Sequence, residues 1–213
     1  MSTDDNNLDL DLAALMCSRV CHDVINPVGA IINGLEVLEE EDDEEMRSIA
    51  HDLIANSAKQ ASAKLQFARL AFGASGAAGS VIDCGDAQEV VMNLFDGDKV
   101  EIDWQVPHET KPKDEVKLIL ALVLIGRSSI PRGGNMAVIH ENGAIKVVCG
   151  GAGAKLPEQT PAIADNTFKL EGLDSRSIQL YLAYRLAQVL NFTLEFTADG
   201  EKIELAALPD ARK

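Results

Sequence analysis

The chain has 213 residues, 46% hydrophobic and 25% charged, an ordinary globular composition with room for one large domain or two small ones, each able to bury a core. Its formal net charge is −15, with thirteen acidic residues and one basic residue, Arg19, in positions 1–45. Nucleic acid is therefore excluded as an expected partner, because neutralising phosphates takes clustered Lys and Arg; protein partners fit better. No apolar run is long enough to span a bilayer, and the opening Met1-Ser2-Thr3-Asp4-Asp5-Asn6-Asn7 lacks the basic-then-apolar order of a signal peptide, so no membrane partner and a cytoplasmic location are expected.

Residues 1–7 are polar and expected to fray. From near Leu8 to about Glu40 apolar residues recur at steps of three and four, and Cys17, Val20, Val24, Val28, Ile31, Leu35 and Leu38 form the clearest seam. Cys17 and Cys21, one turn apart near that seam, read as buried thiols. With Cys84 and Cys149 they make no Cys-x-x-Cys pair and no zinc spacing, so no metal site is expected.

At about 100° per residue, His22 falls nearly opposite the seam, beside Ser18, Asn26, Gly29 and Asn33, a stripe of polar and small residues. His22 should thus face solvent, where a neutral imidazole is a nucleophile near pH 7. Pro27 lacks an amide hydrogen and crowds the carbonyl of Asp23, so the helix should kink just past the histidine. A lone helix histidine is usually only solvated. A proline costing roughly 3 kcal/mol in mid-helix, however, implies a reason for its presence beside it.

The acidic run Glu39–Glu45 reads as the tip of a helical hairpin, its later carboxylates placed at the positive end of the next helix. That second helix covers roughly Glu44 to Phe72, with Met46, Ile49, Leu53, Ser57, Ala61, Leu65, Ala68 and Phe72 on the expected buried face. Two amphipathic helices cannot enclose a core by themselves, so the hairpin is expected to pair with a second copy as a homodimeric four-helix bundle.

Gly73 to Ser80 is a small-residue linker, giving expected domains of residues 1–75 and 81–213. Beyond it the sequence predicts a strand at Val81-Ile82, a helix over Asp86–Phe95, a strand over Lys99–Val106 and a strongly apolar helix over Glu115–Ser128. Paired strands Met136–His140 and Ala144–Cys149 flank Asn142-Gly143, and after a long loop come a helix over Ser175–Leu190 and a hairpin of Phe192–Thr197 with Lys202–Ala206. The expected class is α+β, a helical hairpin followed by an α/β sandwich.

The string His22-Asp23-x-x-Asn26-Pro27 resembles the phospho-acceptor box of the dimerisation and phosphotransfer domain of histidine kinases, and the element order beyond residue 81 resembles their ATP-binding domain. In that fold an asparagine holds Mg²⁺, an Asp-x-Gly-x-Gly turn reads adenine and a later glycine-rich loop covers the phosphates. Here Ile125 stands where the asparagine belongs, and isoleucine has no oxygen for a hard cation. Cysteine replaces the aspartate in Cys149-Gly150-Gly151-Ala152-Gly153, which reads better as a tight turn than as a phosphate cradle. The stretch Ser175–Ala183 keeps the following helix without the glycines.

An intact acceptor box with a degraded ATP site is similar to the histidine phosphotransferases of alphaproteobacterial cell-cycle signalling. That resemblance implies transfer from the receiver domain of the hybrid kinase CckA, through His22, to the response regulators CtrA and CpdR, with no cofactor bound by this chain and Mg²⁺ carried by the receiver. It implies that Asp23 orients the imidazole or accepts its proton, a solvated carboxylate being the competing reading. Asn26 is expected to position water for a weak phosphatase activity or to serve as a docking contact. Ser18, Arg19, Gly29 and Asn33 are expected to meet the receiver. His51, His108 and His140 lack this context and read as surface, loop and strand residues. A histidine kinase with an unusual ATP site and a non-catalytic dimeric scaffold are the alternatives.

Overall fold

The computed structural model describes residues 3–73, 79–164, 167–168, 174–175 and 177–210. Its first two elements are α1 (Thr3–Glu40) and α2 (Glu44–Phe72), an antiparallel hairpin in which α1 runs unbroken through Pro27. The tip is closed by polar groups that answer the orphan backbone atoms of both helix ends. Asp43 caps α2, its Oδ1 accepting from the Glu45 and Met46 amides at 2.9 and 3.0 Å. Glu44 and Glu45 lie in the first turn, where the helix dipole favours carboxylates. Arg47 donates back to the carbonyls of Leu38 and Glu41, satisfying the end of α1.

The most fully buried positions of the two helices are mostly small residues, and the expected seam is covered only in part, with Val20, Val24, Ile31 and Leu38 half-buried. Pro27 and Gly34 of α1 and Ala50, Ser57, Ala63, Phe67 and Ala71 of α2 are buried. A Cβ at Gly34 would lie 2.6 Å from Ile54 Cγ1 and 3.2 Å from the Ala50 carbonyl, so only glycine permits this approach. Other members of the predicted apolar rows lie open: Val28, Leu35, Met46, Ile49, Leu53 and Leu65 are all more than 40% exposed, and Ile25 reaches 66%. Cys17 and Cys21 are likewise exposed, which overturns their reading as buried thiols. Periodicity identified an apolar face; it could not say how much of that face the other described residues leave open.

Residues 74–78 of the expected linker lie outside the described residues. At its start, Lys117 Nζ donates to the Gly73 carbonyl at 2.6 Å and so holds the end of α2.

The remainder comprises β1 (Val81–Asp83), α3 (Cys84–Leu94), β2 (Val100–Gln105), β3 (Thr110–Pro112), α4 (Lys113–Ser129), β4 (Gly134–Glu141), β5 (Ala144–Gly150), α5 (Thr160–Ala164), α6 (Ile178–Leu190), β6 (Phe192–Asp199) and β7 (Lys202–Pro209). The short strand β3, which pairs antiparallel with β1, and the single helical turn α5 were not legible in the sequence. A five-stranded sheet has the order β2-β4-β5-β7-β6, parallel between β2 and β4 and antiparallel elsewhere. Asn142 and Gly143, with φ of 52° and 78°, make the tight β4–β5 turn that their types predict. Asn191, also left-handed, ends α6 and donates its amide to the carbonyls of Ala187 and Gln188.

The core lies between one face of this sheet and helices α3, α4 and α6. Helix α4 is apolar on every side, as a helix covered all round must be, with Val116, every residue from Leu118 to Val123, and Ile125 buried. The fold is thus α+β, with a helical hairpin and a helix-backed mixed sheet as expected.

Candidate functional site

His22 lies in the middle of α1 on its solvent side, its side chain half accessible. The neighbouring Asp23 places Oδ1 3.4 Å from His22 Nδ1. With a carboxylate there, a neutral imidazole is favoured with its proton on Nδ1, which leaves the lone pair on Nε2. The same carboxylate is held from behind. Arg19, one turn back, donates from Nε to Asp23 Oδ2 at 2.7 Å, and from Nη1 to Gln179 Oε1 on α6 at 3.1 Å.

Ser18, Asn26 and Asn33 are exposed on α1, with Gly29 half-buried. A Cβ built at Gly29 would meet nothing within 4 Å, so no contact inside this chain requires glycine there. Glycine in a helix interior costs about 1 kcal/mol relative to alanine, which gives this one the look of a position kept small for something outside the chain. Arg19, expected at the partner surface with these four, instead turns its guanidinium toward Asp23 and α6. Sequence reasoning passed over Gln179, which is 4% exposed. A lone amide in the apolar run Ile178-Gln179-Leu180-Tyr181 was the available signal, since a buried polar side chain has a partner to find.

The remaining histidines stay away from this arrangement. His51 is exposed on α2 and His140 lies on β4, where its Nε2 is 2.9 Å from Glu115 Oε1 in a cluster with Lys111 and Glu109. Among the described residues no group of three or more His, Cys, Asp or Glu side chains converges to hold a metal ion.

Two positions that the resemblance set against a kinase nucleotide site lie in the core. Ile125 is wholly buried in α4. Cys149 points into the core from β5, and burial pushes its thiol up to about 12, so it is neutral and offers no carboxylate to an adenine amine. A Cβ at Gly126 would come within 2.9 Å of Cys149 Sγ, so helix and strand are in close contact there. Gly151 accepts from the Ala154 amide at 3.1 Å in a turn. Among the described residues between β5 and α6, Ile163 and Phe168 are buried, with the Phe168 ring 6.1 and 6.0 Å from those of Tyr181 and Tyr184.

No described helix is long and apolar enough to cross a membrane. Residues 84–202 match the family model described as "Histidine phosphotransferase C-terminal domain". The chain is 43% identical over 202 residues to the protein phosphotransferase ChpT of Brucella abortus (strain 2308), an alignment covering 93% of this chain and 95% of that one. A solved structure of a bacterial phosphotransferase superposes with a TM-score of 0.83 at 40% identity, covering 97% of each chain.

Proposed function

The chain belongs to the histidine phosphotransferase family, and from that premise we propose that His22 is its phospho-acceptor in a multistep phosphorelay. The observation that carries the reading is an exposed imidazole on a rigid helix, with Nδ1 turned to the Asp23 carboxylate and Nε2 therefore available to a partner. The donor is a receiver domain bearing a phospho-aspartate. His22 Nε2 attacks the phosphorus in line, an N–P bond forms, the acyl-phosphate P–O bond breaks, and the electron pair leaves with the receiver's carboxylate. Asp23 accepts a hydrogen bond from Nδ1–H and offsets the positive charge that forms on the ring. In the second half the aspartate of another receiver attacks the phosphohistidine and the imidazole leaves as a neutral ring. Mg²⁺ belongs to the receiver in both halves.

The residues from 1 to 75 act in this reading as the dimerisation and phosphotransfer domain, and 81–213 as a degenerate kinase-like domain that uses no nucleotide. The fully buried Ile125 and the neutral, buried Cys149 count against the kinase alternative. The exposed rows Val28, Leu35, Met46, Ile49, Leu53 and Leu65 support a homodimer, since a face this apolar is best covered by a second hairpin of the same kind. Ser18, Gly29 and Asn33 form the surface for the receiver, and Asn26, one turn beyond His22, positions water for a weak phosphatase activity or docks the receiver. The hybrid kinase CckA as donor, CtrA and CpdR as acceptors, and a cytoplasmic role in the cell cycle complete the proposal.

The test is radiolabel transfer to wild type and to His22→Ala, each mixed with ATP alone and with a phosphorylated receiver. Label taken by wild type only from the receiver, and not by the variant, is expected. Label from ATP alone would make the protein a kinase, and none from receivers known to bind it would leave the scaffold.

A further inference from the structure

The phosphotransfer box and the C-terminal sandwich are joined by a short line of polar contacts for which nucleotide chemistry offers no use. Gln179 Oε1 accepts from Arg19 Nη1 at 3.1 Å, Arg19 Nε donates to Asp23 Oδ2 at 2.7 Å, and Asp23 Oδ1 lies 3.4 Å from His22 Nδ1. Arg19 is suited to such a bridge because its planar fork presents donors in two directions at once, which a lysine cannot do. Gln179 is itself buried on α6, only 4% exposed, which limits the positions its amide can take. Apart from the hydroxyls of Tyr181 and Tyr184, its amide is the one polar group in the buried set of that helix.

We propose that Arg19 and Gln179 are positioning residues for phosphotransfer: α6 of the kinase-like sandwich, through the Arg19 guanidinium, sets the orientation of the Asp23 carboxylate and thereby the tautomer and direction of His22. Each step follows from the geometry. An exposed aspartate on a helix otherwise samples several rotamers. Occupying Oδ2 with a charge-assisted bond at 2.7 Å leaves Oδ1 on the histidine side. A carboxylate so fixed favours the Nδ1–H form of the neighbouring imidazole, the form whose Nε2 lone pair is free to attack. The sandwich thereby has a use that does not involve ATP: it supplies the far anchor of this line. Loss of the anchor should slow the chemical step without loosening the hold on the receiver, because neither Gln179 nor the inward-turned guanidinium lies on the stripe of Ser18, Asn26, Gly29 and Asn33.

This inference rests on His22 being the acceptor, so the wild type is first shown to take label on His22 from a phosphorylated receiver; failure at that stage would count against the function, not against the line of contacts. Single-turnover transfer is then followed for Gln179→Met, which keeps the shape and removes the acceptor, for Gln179→Glu, which restores an oxygen, and for Arg19→Lys. Gln179→Met and Arg19→Lys are expected to lower the transfer rate constant roughly ten- to a hundredfold, the scale of a misaligned reacting group, with receiver Kd unchanged. Gln179→Glu should recover most of the loss. In an Asp23→Asn background Gln179→Met should have no further effect, since it acts through that carboxylate. Nitrogen-15 NMR of His22 supplies a readout that a packing role would not move: the Nδ1–H tautomer should dominate in wild type and lose population in both Arg19→Lys and Gln179→Met. Unchanged tautomer and rate in Arg19→Lys, or a loss confined to receiver affinity, would overturn the proposal. So would full additivity of Gln179→Met with Asp23→Asn.

Discussion

The hairpin and the sandwich treat their apolar residues in opposite ways. In the sandwich, α4 is apolar all round and is covered all round, by the sheet, by α6 and by the neighbouring helices. In the hairpin, α1 and α2 close on each other through Pro27, Gly34, Ala50 and Ser57 while valines, leucines, isoleucines and Met46 stay open. A sheet with helices on one face can complete its core within a single chain, whereas two helices touch along one line and leave their other apolar sides for a partner. The incomplete half also carries His22. On the proposed function, the part of the molecule that meets other chains is therefore the part least finished by its own.

The sharpest way to break this contrast is to charge the open face. Val28→Glu with Leu53→Glu should convert a dimer to a monomer at micromolar concentration, by sedimentation, while near-ultraviolet dichroism of the sandwich is unchanged; a wild type already monomeric would remove the dimer from the proposal. Next in size is the filled core. Ile125→Asn places an amide where a fully buried isoleucine now packs and is expected to destabilise the sandwich by about 3 kcal/mol in denaturant, without creating ATP binding.

Two glycines of the same helix sharpen the contrast within the hairpin. Gly34→Ala drives a methyl against Ile54 and the Ala50 carbonyl, and should cost about 1–3 kcal/mol. Gly29→Ala meets nothing and should stabilise α1 by about 1 kcal/mol at most, whereas Gly29→Gln is expected to impair receiver binding while leaving the melting temperature intact. The last effect is electrostatic and appears only at alkaline pH. The Cys149 thiol, pushed up to about 12 from an ordinary 9.0, stays protonated in the folded chain where the unfolded chain loses its proton. Stability owed to it is whole below pH 9 and falls as pH rises toward 12, by roughly 1.4 kcal/mol per pH unit. Replacement by alanine should remove that component from the alkaline slope.

Much of the secondary structure was legible because the signals are local. The tip of the hairpin follows from the acidic run Glu39–Glu45, and the β4–β5 turn from Asn142-Gly143. Strand β3 was not, since Thr110-Lys111-Pro112 has no alternation and becomes a strand only because β1 lies beside it. At the site, the exposure of His22 and its adjacency to Asp23 could be read from helical periodicity. The turning of Arg19 away from solvent could not, because its partner Gln179 is 160 residues distant in the chain. The exposed Cys17 and Cys21 failed for a related reason: helical phase places a residue on a face, but burial depends on what arrives there.

The sequence by itself determined the type and approximate place of most helices and strands, which face of α1 carries the histidine, and that oxygen ligands are missing at Ile125 and Cys149, because periodicity, turn residues and side-chain chemistry act over a few residues. Only the tertiary structure decided which part of the apolar seam α1 and α2 cover between them and which part stays open, and that α6 reaches the His22–Asp23 pair through Gln179 and Arg19. Those contacts depend on how close two backbones can come, a property of the packed whole that no single stretch of chain contains.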